Sequence, residues 1–312
     1  LDKILSRGAL PDSDEVVNLY SELTDDLSYA RTFFPNSQTT LYLNSLASKA
    51  YSIIHSQSGR GQGKIIRFFT HSYPLLFRSV QREVGLSFVV MLLAALLGWF
   101  SVLEDDTFVR LVMGDQYVDT TIQNILSNDP LAVYKQSNGI TMFLGIAVNN
   151  IWVSFLAFLL GLLTPIGTGY ILFRNGVMLG SFLAFFKTYN LTLTAVVTIS
   201  IHGIPEIFAI VVAGGAGIVL GKGLMYPGVL TRLEAFRVAA VKATKLIAGL
   251  IPVFIYAALL EGFVTRHTML PVSVKIAIII LSVVLIGYYF FIYPELLTRK
   301  LKIHGNQLHR NA

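Results

Sequence analysis

Cysteine is absent from all 312 residues, which excludes disulfide staples and thiolate metal sites. Charge is scarce as well. Only 13% of residues are Asp, Glu, Lys or Arg against 54% that are hydrophobic, too few and too clustered to cover a water-soluble surface. Motifs of common chemistries are missing too: His-Glu-x-x-His does not occur, so no zincin helix is present. "SQSGRGQGK" at 56–64 offers glycines and basic residues, but the Gly-x-x-x-x-Gly-Lys-Ser/Thr spacing fails and no buried strand precedes it, so it reads as a connector rather than a phosphate loop. Serine in the apolar stretches lacks a base partner other than Ser200 beside His202, which points from another helical face. The expectation is a non-enzyme with no catalytic residue, no cofactor and no metal. The net charge of +6 is distributed as a topology signal, so no nucleic-acid partner is expected either.

What is present is apolar length. Residues 1–60 read as a soluble helical hairpin: Val16, Leu19, Tyr20, Leu23, Leu27 and Ala30 recur at three-and-four spacing, Pro35 closes the first helix, and Leu41 to Ile54 repeat the pattern. No cleavable signal sequence is read in the first 79 residues, which are polar and mixed in charge. Residues 61–83 mix Ile65, Phe68 and Phe77 with Lys64, Arg67 and Arg78, the pattern of an interfacial elbow on anionic headgroups. Residues 84–296 hold six apolar stretches, near 84–103, 141–163, 165–186, 191–220, 246–264 and 272–293, most of them close to the ~20 residues that cross a bilayer. The fourth is too long to cross upright and must tilt, break or protrude. The fold class is therefore all-α, a polytopic membrane bundle of about six spans whose first partner is the lipid bilayer.

Lys and Arg set the orientation. One cluster (Lys64 to Arg82) precedes the first span, a second (Lys222 to Lys245) fills the loop before the fifth, and a third lies in the basic tail, 297–312. Six crossings put all three on one face, so the expectation is a multi-pass protein of the cytoplasmic (inner) membrane with both termini cytoplasmic. The outer loop, 104–140, is acidic, and its apolar residues recur at helical spacing with a break at Gly114 and Asp115, which predicts one or two short helices.

Within the spans, polar residues are costly and need partners. Arg174, His202 and Glu206 all fall near mid-membrane when counted at ~1.5 Å per residue. The expected network pairs Arg174 with Glu206 and adds Asn149, Asn150 and Asn175. His202, Glu206, Ala209, Ala213 and Gly217 share one helical face, and Asn150, Ser154, Ala157 and Gly161 form a matching stripe. Pro205 with Gly203 predicts a kink or unwound turn beside His202, while Gly176-x-x-x-Gly180 and Gly217-x-x-x-Gly221 predict close helix contacts. Glu261, near the outer end of the fifth span, reads as a solvated boundary charge. The polar set either locks helices together or lines a transport pathway.

"FLGIAVNNIWVSFLAFLLGLLTPIGTGYILFRNGVMLGSF", "IHGIPEIFAIVVAGGAGIVLG" and "EGFVTRH", in that order, resemble the stage II sporulation protein M family of integral membrane proteins. The resemblance marks Asn149, Asn150, Gly167, Gly169, Asn175, Gly176, Gly180, His202, Gly203 and Glu206. It implies a cell-envelope role alongside peptidoglycan-remodelling proteins. The expectation that follows is a scaffold or assembly factor with envelope partners, and Gly-rich faces that suit a homodimer. The alternative is a transporter or channel, proton-coupled through an intramembrane histidine.

Overall fold

The computed structural model describes residues 13–35, 37–56, 61–132, 139–228, 230–267 and 270–300, and no strand occurs among them. The chain divides into two compact units, 1–70 and 71–312. The elbow expected at 61–83 is thus split between them, and most of the basic tail lies outside the described residues.

The first unit is a helical hairpin, α1 (Ser13–Phe33) and α2 (Gln38–Ser56), followed by α3 (Gly61–Arg67). Leu23 and Leu27 of α1 meet Leu46 and Ala47 of α2, with Tyr20 and Leu43 at the edge, as their three-and-four spacing requires. The turn is held by hydroxyls: Thr40 Oγ1 donates to the Phe34 carbonyl (2.7 Å), and Ser37 Oγ accepts the Thr40 amide (3.1 Å) as the cap of α2. Gly61 and Gly63, expected in the connector, belong to the first turn of α3 instead.

The second unit opens with α4 (Tyr73–Arg78) and holds six helices long and apolar enough to cross a membrane. They are α5 (Gln81–Glu104), α8 (Gly139–Leu159, extended by a 3-10 turn to Leu162), α9 (Pro165–Thr188), α10 (Thr192–Met225), α11 (Arg232–Leu259, extended by a π turn, Leu260–Thr265) and α12 (Val272–Ile286, followed by a π turn, Gly287–Ile292). The chain is an all-α polytopic membrane protein. α10 is its axis, packed against α5, α8, α9, α11 and α12 and buried along most of its length. At 34 residues it extends about 51 Å, well beyond ~30 Å of hydrocarbon. The unwound turn predicted at Pro205 is not there: α10 is helical through Gly203 and Pro205, both buried. Proline removes one backbone bond, and the helices packed around α10 keep the turn helical despite it.

α11 also begins earlier than its apolar run. Thr231 caps it in a reciprocal box, its hydroxyl accepting the Glu234 amide (3.3 Å) while the Glu234 carboxylate accepts the Thr231 amide (3.0 Å). Arg232, Arg237, Lys242 and Lys245 therefore stand on a helix rather than in a loop, which shortens the link from α10 to residues 226–231. Thr231→Ala is expected to cost about 1 kcal/mol, read as a lowered midpoint in denaturant unfolding of the solubilised protein.

Two seams fix the bundle. α5 and α9 approach backbone to backbone, so that a methyl group on Gly180 would overlap the Ala95 carbonyl and one on Gly176 the Met91 carbonyl. α8 and α10 meet the same way at Gly161 and Gly217, with Gly221 close by against Pro165. Gly167 lies against the Leu160 carbonyl, whereas Gly169 faces open space.

One end of the bundle carries a cap, α6 (Phe108–Met113) and α7 (Asp115–Leu126), as the loop periodicity predicts. Gly114 joins the two helices at φ +87°, a conformation that glycine adopts without steric cost. Val109, Val118 and Leu131 bury themselves against Val102, Phe182, Phe185 and Phe186 at the ends of α5 and α9. Arg110 bridges Asp115 (3.2 Å) and Asp119 (2.8 Å) on the exposed side of the cap.

Candidate functional site

Beneath the cap a cavity of about 400 Å³ opens into the bundle. α8 contributes Asn149 and Asn150, α9 Asn175 and Met178, α10 His202 and Glu206, and the π turn after α11 contributes Glu261. Tyr117 of the cap lines it from the other side.

The centre is a histidine and two carboxylates. One ligand-capable atom from each of His202, Glu206 and Glu261 lies within 4.8 Å of the others. His202 is 4% exposed, and its Nε2 is 3.7 Å from Glu261, whose side chain is 13% exposed. The i, i+4 spacing on α10 stacks His202 above Glu206 on one face, and the α8 stripe of Asn150, Ser154 and Ala157 is buried. Asn150 hydrogen-bonds the Glu206 carboxylate and accepts from Asn149 Nδ2 (3.3 Å), so a relay of amides runs from the half-open rim to the acid.

The histidine is held by its other nitrogen. His202 Nδ1 and Thr265 Oγ1 are 3.0 Å apart, and Thr265 Oγ1 donates to the Leu260 carbonyl at 3.2 Å. A hydroxyl has one proton, and here the Leu260 carbonyl takes it. The hydroxyl oxygen therefore accepts from Nδ1–H, which leaves the Nε2 lone pair on the Glu261 side. The π turn makes this geometry, because its surplus residue brings both Glu261 and Thr265 to the α10 side. Above them, burial pushes the Tyr117 phenol up to about 12, and the Glu261 carboxylate adds to the rise against a lowering by Thr121.

The structure redistributes the residues expected from sequence. Arg174 is exposed on α9, and no ion pair joins it to Glu206 or to any other described residue. Helix counting gave its depth but not its azimuth. Glu261 is not a solvated boundary charge; the π turn carries it into the site. Asn149 is exposed, while Asn175 donates to the Ile171 carbonyl (2.8 Å) at the cavity wall. Gly203 lines the cavity between His202 and Glu206. Tyr117 and Thr265 were not foreseen, nor was Lys275 of α12, buried at 7% exposure and donating to Thr198 at 3.4 Å. The one available signal lay in "EGFVTRH", where Glu261 and Thr265 stand four apart.

The family profile described as stage II sporulation protein M matches residues 87–266, a segment that includes His202, Glu206, Glu261, Thr265 and both glycine seams. A second profile, described as a domain of unknown function (DUF8413), matches residues 1–56. Neither a curated protein nor a solved structure matches the chain.

Proposed function

This chain belongs to the stage II sporulation protein M family, and from that premise we propose that it is a non-enzymatic transporter of the cell envelope that admits a cationic solute to His202, Glu206 and Glu261. The observation that carries this reading is the cavity, which brings two carboxylates and an imidazole to a space of about 400 Å³ within the spans. Acid groups held in hydrocarbon attract cations strongly because little water screens them. The Asn149–Asn150 relay offers polar contacts on the way in, and Tyr117 stands at the cap side as a neutral roof.

Orientation supports a cytoplasmic membrane with the cap outside. Glu104, Asp105, Asp106, Asp115, Asp119 and Asp129 crowd the cap end. Arg82 and Lys222 sit at the other, where Lys222 pairs with Glu83 at 2.8 Å. By the positive-inside rule the basic end is cytoplasmic, and both termini follow it. In proteoliposomes the full chain is expected to pass cations, with Glu206→Gln lowering flux at least about tenfold, the scale of one removed polar contact of ~1.4 kcal/mol. Arg174→Gln is expected to leave flux intact. Equal flux in wild type and Glu206→Gln, or flux lost only in Arg174→Gln, would remove the cavity from the pathway.

One observation favours a second role as scaffold. On the hairpin, Tyr29, Phe33, Phe34 and Tyr42 are each more than half exposed, an aromatic surface of the kind that recruits another protein. Affinity isolation from gently solubilised membranes is expected to recover a stoichiometric envelope partner, or a second copy of the chain, that is lost when Phe33 and Tyr42 are changed to Ser.

A further inference from the structure

We propose that His202, Glu206 and Glu261 bind a divalent transition-metal ion, and that this ion is the cargo of the cavity. The cargo assignment rests on the transport reading above; the binding site itself does not.

The donor set is the first ground. One imidazole and two carboxylates are ligands that zinc and manganese accept, and three protein ligands leave a position open for a passing solute or water. The atoms lie within 4.8 Å of one another, wider than the ~3.4 Å edge of a tetrahedron with ~2.1 Å bonds, so a captured ion draws the three side chains inward. Each side chain has room to move, since all three line the cavity.

The second ground is the prepared histidine. Thr265 holds Nδ1 as a donor, so Nε2 presents its lone pair towards the Glu261 carboxylate at 3.7 Å. A lone pair and a carboxylate repel each other unless a proton or a metal cation stands between them, and a metal cation satisfies both as ligands. A hydroxyl bonded to the far nitrogen is also the arrangement that fixes tautomer and ring angle in metal-ligating histidines.

The third is charge. Among the described residues no Lys or Arg forms an ion pair with Glu206 or Glu261; Lys275 donates instead to Thr198, one helical turn from His202. Two carboxylates buried side by side need a counter-charge to be ionised together, and a divalent cation cancels both charges in one step, whereas a monovalent ion cancels half. Asn150 then serves as a positioning residue, holding Glu206 by its amide rather than touching the ion.

The test uses the full chain, free of any histidine tag, in detergent and stripped with a chelator. Zn²⁺ alone, and Mn²⁺ in parallel, are titrated by calorimetry. One ion per chain is expected, with affinity lowered at least about tenfold in Glu206→Gln and in Glu261→Gln. Thr265→Val is expected to lower affinity about 10- to 100-fold through the histidine alone. Each variant is compared by thermal unfolding without metal, so that a misfolded variant is recognised and set aside in favour of the wild-type stoichiometry. Absence of stoichiometric binding to wild type, or unchanged affinity in both Gln variants, overturns the site. Binding without Zn²⁺ or Mn²⁺ flux in proteoliposomes overturns the cargo assignment and leaves the site standing. Flux of another cation that depends on Glu206, with no metal bound, overturns the metal and leaves the transport reading standing.

Discussion

Gly180→Val is expected to destabilise the bundle by about 3 kcal/mol or more, at or above the top of the usual range for overpacking. The reason is what stands opposite. A side chain at 180 meets the Ala95 carbonyl and the Trp99 amide, which are backbone of α5 and cannot rotate away as a side chain can. The helices must part, and Ser181, whose hydroxyl reaches the Gly98 carbonyl at 3.4 Å, parts with them. In lipid, separating two helices gains no hydrophobic penalty to drive them back, so close packing is the main force at stake. Gly180→Ala should show an intermediate loss. Gly169→Ala, where the added methyl meets nothing, should be neutral or stabilising by up to ~1 kcal/mol, since alanine is the better helix former. Thermal unfolding followed by circular dichroism in one detergent separates the three. Equal midpoints for positions 169 and 180 would show that the α5–α9 seam is loose.

Tyr73→Ala is expected to cost about 3 to 5 kcal/mol, the range for removing a large buried aromatic. Tyr73 is 0% exposed, with Tyr289 stacked at 6.4 Å, Phe290 edge-on at 6.0 Å and Gly249 of α11 directly against its ring. Its hydroxyl donates to the Leu246 carbonyl at 3.2 Å, and burial, with Tyr289 nearby, raises its pKa so that it stays a donor. α4 is thereby pinned to α11 and to the π turn after α12. Tyr73→Phe keeps the ring and loses the hydrogen bond, so a loss near ~1 kcal/mol is expected. A large loss in Tyr73→Phe, with little more in Tyr73→Ala, would place the stabilisation in the hydroxyl instead.

How much of this was legible in sequence differs by kind of feature. Apolar length and three-and-four periodicity place the six spans, the hairpin and the capped loop with its break at Gly114, because each depends on local composition. The stripes Asn150–Gly161 and His202–Gly217 follow from helix geometry alone, and the structure sets Gly161 against Gly217. Partnership across helices did not follow. Depth along a span can be counted, but Arg174 and Glu206 lie on helices whose rotations are set by the glycine seams. Pro205 promised an unwound turn, and the structure keeps the turn helical. Glu261 was hidden by a π turn, since an inserted residue shifts every later position off the 3.6-residue period from which faces are read. The early start of α11 was readable: Thr231 with Glu234 three residues on is a capping box, and it outranks the polar character of the segment that follows.

The contact of Gly161 with Gly217 has a mechanical meaning. It sits towards the end of α8 remote from the cap, while the cavity-lining residues Gly145 to Asn150 lie on the other half of that helix, up to about 24 Å away. α5 and α9 are clasped to each other, and the far end of α8 is clasped to α10. Any tilt of α8 by a few degrees about Gly161 would move Asn149, about 18 Å along the helix, by about an ångström, and would have to overcome the packing of that half against the π turn after α11.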